Sequence, residues 1–492
     1  MDNLTVIVLA AGGGTRMKSK TMKVLHPIAG RSMIGHVLRA VQAVEPTRVV
    51  AVIGHQREQV GPHIMELVPT ALLAIQETQE GTGHAVRIAM ETAGTTTGTV
   101  IVTAGDTPLL EGDSLRAFAA EHEAAQRAVS ILSANLANPF GYGRILRNDE
   151  GDVEAIVEEK DATPEQREIT EISSGIFAFD AAFLIDALPR ISNDNAGGEY
   201  YLPDTVHLAR EAGLTVGAHV IEDVTQTQGA NDRAQLAELG KELNRRIVTR
   251  WMKDGVTVMD PATTWIEADV VIEADATILP GTQLLGATVI GEDAVVGPDT
   301  TLKDCEVGAG AHVVRTHGEL AVVGDRATVG PFAYLRPGTQ LGIAGKIGAF
   351  VETKNAQLGD GAKVPHLSYV GDAEIGEGAN IGAGTIFANY DGVAKHRTTV
   401  GRHAKTGSNN TFVAPVTIGD GAGTAGGTVV RRNVPPGALA VSGSAQRNLE
   451  GWTESRRAGT AQAEAAQSAR ERQANTDHLP GGGHAQQGGG DS

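Results

Sequence analysis

Residues 271–302 read VIEADATILPGTQLLGATVIGEDAVVGPDTTL, and an aliphatic residue recurs in this stretch at every sixth position. These positions are Ile272, Ile278, Leu284, Ile290, Val296 and Leu302. Glycine and other small residues follow them, as in VIGEDAVVGPDT. A six-residue period fits neither an α-helix nor a simple hairpin meander. It is typical of a parallel β-helix, in which one aliphatic side chain per hexad stacks inside the coil.

The same period returns further along the chain after resets of its register. The later positions are Val323, Val329, Leu335 and Leu341, then Ile375 and Ile381, and then Val400, Thr406 and Phe412. The alternative is chance alternation in ordinary β-structure, which does not explain a period that persists from residue 272 to residue 412. The pattern therefore predicts a left-handed parallel β-helix over residues 255–452.

Residues 1–230 have a different organisation, in which apolar runs alternate with helical patterns. VIVLA (6–10), VVAVI (49–53) and TVIVTA (99–104) predict buried parallel strands. Helical patterns lie between them, around residues 32–44 and 83–93. This alternation predicts a Rossmann-like α/β domain with a mostly parallel sheet, which binds ligands at the carboxyl ends of its strands.

Two further segments complete the predicted organisation. Residues 231–254 predict one helix that connects the two domains. Residues 453–492 are rich in Ala, Gln, Gly and Arg, and predict a disordered tail with some docking near Trp452. The connecting helix carries its apolar residues on one stripe, at Leu236, Leu239, Leu243, Ile247 and Trp251.

The composition of the 492 residues excludes several classes of protein. A formal net charge of −18 argues against binding to nucleic acid or to a membrane surface. Cys305 is the single cysteine, so neither a disulfide framework nor a thiolate metal cluster is expected. The apolar run at residues 4–11 is too short for a signal peptide or a membrane span. These observations predict a cytoplasmic protein.

The segment LAAGGGTRM (9–17) places a glycine cluster directly after the first strand, and basic residues follow it. Glycine lets backbone N–H groups approach a ligand closely, and such a concave turn binds phosphate oxygens. A glycine triplet alone fits a tight strand-to-helix turn equally well. The GK[ST] ending of a Walker motif is absent. Together with KVLH (23–26), the whole string resembles the signature of sugar-1-phosphate nucleotidyltransferases, with Met22 where proline is usual.

Further motifs extend the resemblance along the chain: QETQEGTGHAV (76–86), AGDTPLL (104–110), GYGRIL (141–146), IVEEKDAT (156–163), GEYYLPD (198–204) and GANDR (229–233). With the β-helix, the chain resembles the bifunctional N-acetylglucosamine-1-phosphate uridyltransferase/glucosamine-1-phosphate acetyltransferase (GlmU) family over residues 4–452. The resemblance implies two reactions that together make UDP-N-acetylglucosamine from glucosamine-1-phosphate, acetyl-CoA and UTP.

In the first domain the resemblance implies a site for UTP and the sugar phosphate. Arg16 and Lys23 would stabilise the triphosphate, and Asp106 with Asn231 would bind Mg²⁺. Taken alone, Asp106 fits a turn-capping role. Ala104 and Ser173 depart from the family pattern, which predicts an altered sugar contact at Ser173. The implied UTP and sugar-nucleotide residues are Leu9, Ala10, Ala11, Gly12, Lys23, Gln76, Gly81, Thr82, Ala104, Gly105, Asp106, Gly143, Glu158, Ser173 and Asn231.

In the β-helix the resemblance implies an acetyltransferase site. His366 would be the general base, since imidazole exchanges protons near neutral pH, and Glu352 would orient its ring. An isolated histidine is more often structural, so this assignment depends on its matching surroundings. Sugar-phosphate recognition is assigned to Arg336, Lys354, Tyr369 and Asn380, with Lys395 as a further candidate. Acetyl-CoA binding is assigned to Ala383, Asn389, Tyr390, Ser408, Gly426 and Gly443.

Two of the acetyl-CoA positions depart from the family. Gly426 replaces the usual Ala, which is a mild change. Gly443 replaces an Arg that contacts the phosphate end of the cofactor in many members. We therefore predict weaker acetyl-CoA binding unless Arg447 or the tail compensates.

The resemblance also implies a homotrimer with small-molecule substrates, and a product that feeds peptidoglycan and other envelope glycans. Two other functions are considered beside this one. The first is a nucleotidyltransferase with a purely regulatory β-helix, against which His366, Asn389 and Tyr390 argue. The second is a non-catalytic scaffold or sugar-nucleotide sensor, which would need neither metal ligands nor a general base.

Overall fold

A computed structural model describes residues 3–443 and 446–477, with the side chains of residues 475–477 excepted. One compact unit reaches to Ala440, and a second begins at Val441. The first unit contains an α/β domain, a long helix and a region of stacked short strands. No helix within the described residues is long and apolar enough to cross a membrane.

A twisted sheet with helices on both faces forms the α/β domain. In chain order its strands, with a small hairpin (β2 and β3), are β1 Thr5–Ala10, β2 Pro27–Ile28, β3 Arg31–Ser32, β4 Arg48–Ile53, β5 Leu72–Ile75, β6 Thr99–Ala104, β7 Val129–Asn135, β8 Arg144–Arg147, β9 Val153–Val157, β10 Glu171–Asp180 and β11 Val216–Val220. The helices of the first unit are α1 Met33–Gln42, α2 Arg57–Leu67, α3 Thr82–Ala93, α4 Gly112–Ala124, α5 Pro164–Arg167, α6 Ala181–Ala187, α7 Asp204–Glu211 and α8 Arg233–Lys253.

The main sheet has the strand order β11-β7-β10-β6-β1-β4-β5, and β8 with β9 extends it from β10. All neighbouring pairs along this path are parallel except those that β10 makes with β6 and β7. The three strands predicted from apolar runs are β1, β4 and β6, and they are buried. The prediction of a mostly parallel α/β sheet is therefore confirmed, and the ends of β1 and β6 meet at one edge.

Local hydrogen bonds fix where the helices begin. The Ser32 hydroxyl accepts from Gly35 N at the start of α1, and the Asp232 carboxylate accepts from Gln235 N at the start of α8. The helix predicted from residue 231 therefore begins at Arg233, because Asp232 is its N-cap. It ends before Gly255, whose φ of +97° cannot continue a helix.

The hairpin β2–β3 joins the α/β domain to the region of short strands. Ala29, at its turn, is buried within the core of that region, and its carbonyl accepts from Ala268 N at 3.0 Å. A Cβ at Gly30 would lie 2.8 Å from Glu267 Oε2, so the turn passes too close for a side chain. Arg31 forms an ion pair with Asp269. Asn244 of α8 binds Thr264 O and Ile266 N, which fixes the helix to the same coil.

Short parallel strands form successive coils after residue 256. Each coil contributes three strands, so a strand pairs with the strand three places further along the chain, as β12 does with β15 and β15 with β18. Strands β12 to β38 are, in chain order, Thr257–Val258, Trp265–Ile266, Val271–Ile272, Thr277–Ile278, Gln283–Leu285, Val289–Ile290, Val295–Val296, Thr301–Lys303, Glu306–Val307, His312–Val313, Thr316–Glu319, Val322–Val323, Thr328–Val329, Ala333–Leu335, Gln340–Leu341, Lys346–Ala349, Glu352–Leu358, Lys363–His366, Tyr369–Ile375, Ile386–Ala388, Thr398–Val400, Lys405–Thr406, Thr411–Val413, Val416–Ile418, Gly423–Thr424, Val429–Val430 and Leu439–Ala440.

The residues that carry the six-residue period stack inside these coils. Ile278 lies beside Val296, and Val296 lies beside Val313 in the next coil. Every periodic residue that the sequence singled out is buried, including Thr406 and Phe412 in the last repeats. Stacking buries each aliphatic side chain against equivalents above and below, which stabilises the coil through removal of apolar surface from water. The prediction of a parallel β-helix is confirmed.

The second unit differs from the prediction of a disordered tail. Helices span Trp452–Arg456 (α9) and Ala461–Asp477 (α10), and Arg470 forms an ion pair with Glu454 at 3.4 Å. Alanine, glutamine, glutamate and arginine have high intrinsic helix propensity, so a segment poor in apolar residues still forms helix. The segment HLPGGGHAQQGGGDS (478–492) lies outside the described residues.

Candidate active sites

The glycine loop after β1 lines a cavity of about 280 Å³ at the carboxyl edge of the sheet. Gly14 has a φ of +59°, and a Cβ there would lie 2.5 Å from Lys23 Cβ. Only glycine permits this contact, which brings the stem of Lys23 against the loop. The lining residues are Leu9, Ala10, Gly12, Gly14, Thr15, Arg16, Lys23, Val24, Asp106 and Asn231. The cavity thus brings together Arg16 and several of the residues predicted to bind UTP.

Three polar side chains meet in this cavity. Lys23 Nζ donates to Asn231 Oδ1 at 2.8 Å and also forms an ion pair with Asp106 Oδ2. Asp106 follows β6, and Gly105 N donates to Leu9 O at 2.8 Å, which ties this turn to the end of β1. Asn231 lies just before α8. Three separate segments therefore bring one ammonium, one carboxylate and one amide oxygen together.

Arg16 contributes an uncommitted positive charge to the same cavity. It lies in a 3₁₀ turn, Thr15–Met17, and is exposed. Within residues 3–443 and 446–477, its guanidinium has no ion-pair partner. A phosphate ligand could therefore bind it without displacing a carboxylate.

Three residues of the predicted UTP and sugar-nucleotide set form a second group, beside the N-terminus of α3. Buried Gln76 donates through Nε2 to Gly81 O at 3.3 Å, and the Thr82 hydroxyl accepts from Leu202 N at 3.0 Å. A Cβ at Gly81 would lie 2.6 Å from Tyr200 O. The three residues are held together, but Thr82 Oγ1 is already used by the backbone.

Ser173, which was predicted to contact the sugar, forms a third group with two other residues of the predicted sugar-nucleotide set. Ser173 N donates to Gly143 O at 2.8 Å, and a Cβ at Gly143 would lie 3.1 Å from Glu158 Oε1. Burial raises the pKa of Glu158, and the charge of Asp161 raises it further. This third group therefore contains a carboxyl group that is harder to ionise than usual.

Tyr142 was not singled out from the sequence, although it precedes Gly143 in GYGRIL. Burial raises the pKa of its phenol, and the charge of Asp106 adds to this effect. Tyr142 therefore lies near enough to Asp106 to feel its charge. Ala104, where the family often has a hydroxyl, supplies no such group. The signal that was available for Tyr142 was an aromatic residue between two glycines of a loop.

A cluster of charged side chains covers one face of the β-helix. Arg336 Nη1 donates to Glu352 Oε1 at 2.9 Å, and Glu352 lies beside Tyr369 in the strand register. The neighbouring ammonium of Lys395, through a hydrogen bond and its charge, lowers the pKa of Lys354. The structure thus brings Arg336, Lys354, Tyr369 and Lys395 together, as a surface that favours a phosphate.

Glu352 does not take the role that the sequence predicted for it. It was expected to orient the ring of His366, but its carboxylate is bound to Arg336. His366 lies beside Ala349 in the register, on a different sheet from Glu352. The resemblance from which this role was predicted did not show on which sheet of the coil each of the two residues lies.

His366 begins a column of predicted acetyl-CoA residues, one in each successive coil. His366 O accepts from Gly384 N, Ala383 O accepts from Asn409 N, and Ser408 O accepts from Gly427 N. The same register places Gly426 next. A Cβ at Gly426 would meet only Ser408 O, at 3.7 Å, so the family's usual Ala would fit. The column is His366, Ala383, Ser408 and Gly426.

A projecting loop, residues 389–397, carries three of the predicted site residues. Asn389 donates to the Asp372 carboxylate, and Tyr390 Oη donates to Gly392 O at 2.6 Å. Asp391 accepts from Val393 N and Ala394 N, and pairs with His396 Nε2 at 2.7 Å. These donors lower the pKa of Asp391. Asp391 and His396 close the loop, and neither was predicted from the sequence.

The remaining predicted residues lie elsewhere. Asn380 bridges Lys363 and Lys405 in adjacent coils, three residues before Ala383. Gly443 belongs to the second unit and has a φ of +111°, and within the described residues no atom would lie within 4 Å of a Cβ placed there. No group of three or more His, Cys, Asp or Glu side chains suited to a metal ion occurs in the described part of the chain.

Comparison with known proteins adds independent findings. Residues 6–162 match the family of MobA-like NTP transferase domains. The protein named Bifunctional protein GlmU from Corynebacterium jeikeium is 57% identical over 473 residues, which cover 95% of this chain and 97% of that protein. Proteins of the same name from Corynebacterium efficiens and Kineococcus radiotolerans are each 56% identical, over 94% and 96% of this chain and 96% of each relative.

Proposed function

The chain belongs to the GlmU family of bifunctional proteins, and from this premise we propose which residues perform its two reactions. It is a bifunctional transferase. It transfers an acetyl group from acetyl-CoA to glucosamine-1-phosphate, and then a uridylyl group from UTP to N-acetylglucosamine-1-phosphate. The product, UDP-N-acetylglucosamine, feeds peptidoglycan and other envelope glycans.

For uridylyl transfer, a phosphate oxygen of N-acetylglucosamine-1-phosphate attacks the α-phosphorus of UTP, and the bond to pyrophosphate breaks. The protein aligns the two reactants and offsets their charge. The loop at residues 11–14 would approach the phosphates through its backbone. Arg16 and Lys23 would offset the charge of the triphosphate. Gln76, Gly81 and Thr82 would hold the base, and Gly143, Glu158 and Ser173 the sugar.

Asp106 and Asn231 fit a divalent cation. Their oxygens are hard donors of the kind that Mg²⁺ prefers, and both already bind one cation, the Lys23 ammonium. Two protein ligands leave coordination positions for water and phosphate oxygens, as is usual for Mg²⁺ with triphosphates. When bound there, Mg²⁺ would neutralise charge on the phosphates.

For acetyl transfer, the amine of glucosamine-1-phosphate attacks the thioester carbon of acetyl-CoA, and CoA leaves as the thiolate, which the proton lost by the amine converts to the thiol. His366 would take the proton that the amine loses. Arg336, Lys354, Lys395 and Tyr369 would bind the sugar phosphate, with Asn380 nearby in the coil. The column above His366, with Asn389 and Tyr390, would hold acetyl-CoA along the axis of the β-helix.

We propose that the chain acts as a homotrimer. An exposed apolar ridge formed by Phe332, Phe350 and Leu367 runs along one corner of the β-helix, and these side chains are 54–61% exposed. Phe332 and Phe350 stack with centroids 5.2 Å apart. Leu367 directly follows His366, so a neighbouring subunit that covered the ridge would also border the acetyltransferase site. Because UTP and acetyl-CoA are cytoplasmic, we place the reactions in the cytoplasm.

The observation that carries the proposal is that one chain holds both sites: Lys23, Asp106 and Asn231 in one cavity, and the His366 column on the β-helix. One coupled assay tests it. Purified protein receives glucosamine-1-phosphate, acetyl-CoA, UTP and Mg²⁺, and free thiol and pyrophosphate are followed separately. Both products should appear, and pyrophosphate should require acetyl-CoA. Pyrophosphate that appears only with added N-acetylglucosamine-1-phosphate, without any thiol, would make the β-helix a scaffold.

A further inference from the structure

We infer that Lys23 is a built-in competitor of the divalent cation at the uridylyltransferase site. In this proposal its ammonium holds Asp106 and Asn231 together, and it moves to the triphosphate when the cation binds. The inference rests on the proposed role of Asp106 and Asn231 as metal ligands. It goes beyond that role because it assigns Lys23 two positions and a direct effect on metal affinity.

The geometry of the three side chains supports this competition. The Lys23 ammonium is within hydrogen-bond distance of Asn231 Oδ1, at 2.8 Å, and forms an ion pair with Asp106 Oδ2. These are the two oxygens that would bind the cation. Since both oxygens are directed at one Nζ, a cation bound by both would lie within a few ångströms of it, where like charges repel strongly. Simultaneous occupation is therefore unfavourable.

The environment of Lys23 allows its side chain to move while its backbone stays fixed. The 3₁₀ turn Lys23–Leu25 holds the backbone, and Gly14 packs against the first carbon of the side chain. The rest of the stem is flexible and borders the cavity of about 280 Å³ that Arg16 also lines. The ammonium can therefore leave the two oxygens and still remain within the cavity.

Other cations of the loop do not share this position. Within the described residues, Lys23 is the single ion-pair partner of the Asp106 carboxylate. Lys20 lies three residues before Lys23 in the same loop, but it is exposed, and within the described residues its side chain forms no hydrogen bond or ion pair with Asp106 or Asn231. A variant that lacks Lys20 therefore has the same change in net charge as a Lys23 variant, but it keeps the ammonium that competes with the cation.

The test measures Mn²⁺ binding to the full chain without nucleotide, through the electron paramagnetic resonance signal of free Mn²⁺. Lys23→Met keeps the length of the side chain and removes its charge, and Lys23→Ala removes both. Both variants should bind Mn²⁺ about three- to tenfold more tightly than wild type, since a partly buried ion pair no longer competes. The same variants should bind UTP with Mg²⁺ about tenfold more weakly, because a charge-assisted contact to phosphate is lost. Lys20→Ala should leave Mn²⁺ affinity unchanged.

Opposite changes in the two affinities distinguish this proposal from simpler roles of Lys23. A lysine that only binds phosphate would weaken UTP binding and leave Mn²⁺ affinity as it is. A lysine that only supports the fold would weaken both, with altered circular dichroism. Either result for Lys23→Met overturns the proposal. Failure of the proposed function shows separately, as absence of pyrophosphate release by wild type from UTP and N-acetylglucosamine-1-phosphate.

Discussion

Lys354 and Lys395 lie next to each other on the β-helix, and the ammonium of Lys395 lowers the pKa of Lys354. Lys354 belongs to strand β28, whereas Lys395 belongs to the projecting loop at residues 389–397. Two like charges in contact raise the energy of the free site. A phosphate that binds both ammonium groups removes this repulsion, so the pair is preorganised for an anion.

We expect Lys395→Ala to raise the KM for glucosamine-1-phosphate about tenfold, which is the usual effect of losing one charge-assisted hydrogen bond. The pKa of Lys354 should rise in this variant, because its neighbouring charge is gone. Steady-state acetyl transfer and nuclear magnetic resonance of the lysine side chain measure the two effects. Lys346→Ala, which removes an exposed lysine of strand β27, is the control and should change neither.

Binding of the sugar phosphate should also take up protons at alkaline pH. The free site has a lowered Lys354 pKa, and the bound phosphate raises it again, so some Lys354 gains a proton when the phosphate binds. Calorimetry in two buffers with different ionisation enthalpies measures this uptake. Equal binding heats in both buffers would contradict the assignment.

Asp391→Asn should open the loop that carries Asn389, Tyr390 and Lys395. The Asp391 carboxylate accepts from two backbone N–H groups and contacts His396 Nε2, and an amide lacks the charge that strengthens all three contacts. We expect the KM values for acetyl-CoA and glucosamine-1-phosphate to rise at least threefold. Uridylyl transfer, measured on the same sample, is the internal control and should be unchanged.

The pKa of Asp391 gives this loop a pH dependence of known sign. Its folded pKa lies below the ordinary value of an aspartate. The Asp391 contacts therefore stabilise the loop fully above about pH 4 and lose this effect as the pH falls further. The protection of the loop amides against hydrogen exchange, relative to their intrinsic rates at each pH, should fall on acidification in wild type and be insensitive to pH in Asp391→Asn. The reverse order would contradict the contacts described.

Two glycines of the acetyltransferase site should differ in their tolerance of alanine. A Cβ at Gly371 would lie 2.4 Å from Tyr369 Oη and 2.7 Å from Asn389 Nδ2, so both site residues must move. We expect Gly371→Ala to raise the KM for glucosamine-1-phosphate about tenfold. Gly426→Ala places its methyl 3.7 Å from Ser408 O, in ordinary contact, and should leave acetyl transfer within about twofold of wild type.

Removal of divalent cations should separate the two activities. The proposed metal ligands, Asp106 and Asn231, belong to the α/β domain. We expect a chelator to abolish pyrophosphate release and to leave thiol release from acetyl-CoA unchanged. Asp106→Asn should lower uridylyl transfer at least a hundredfold, since a carboxylate ligand and its charge are lost. A chelator that stopped both reactions would contradict this division.

His122 should make the α/β domain less stable in mild acid. Burial lowers its pKa to about 4, and the charge of Arg127 adds to the effect. Below pH 6.5 His122 gains a proton in the unfolded chain, but in the folded chain it stays neutral until about pH 4. The free energy of unfolding therefore falls across this interval, by roughly 2 to 3 kcal/mol.

The temperature at which half of the uridylyl activity is lost measures this effect. It should fall by about 5 °C between pH 7.5 and pH 5 because of His122, and by less in His122→Gln. Glutamine can keep the hydrogen bond to Ser130, which His122 Nδ1 makes at 2.9 Å. His207→Gln is the control, because that side chain is 66% exposed.

The sequence predicted those features that depend on periodicity. Aliphatic residues at every sixth position require a coil that returns with that period, and the periodic residues from Ile272 to Phe412 are buried as expected. Continuous apolar runs predicted β1, β4 and β6 for a similar reason. Both patterns depend on which side chains are apolar and become buried, and the local sequence shows this directly.

Contacts between distant segments could not be predicted in this way. Glu352 binds Arg336 rather than His366, because the register of the coils decides which side chains meet. Asp391 and His396 are ordinary polar residues in sequence, and their pairing exists only once the loop has closed. The helix at Ala461–Asp477 has no apolar stripe to reveal it, and depends on intrinsic propensity.

The hairpin β2–β3 can be buried only after a much later part of the chain has been synthesised. Ala29 leaves the ribosome long before the coil that buries it, which includes Val258, Ile266 and Val270. Until those residues are synthesised, the turn at Ala29 and the face of α8 beneath it remain exposed to water. The turn at Ala29 therefore becomes buried only after translation has entered the β-helix. A nascent chain that stalls near residue 254 presents an unfinished surface to chaperones and proteases.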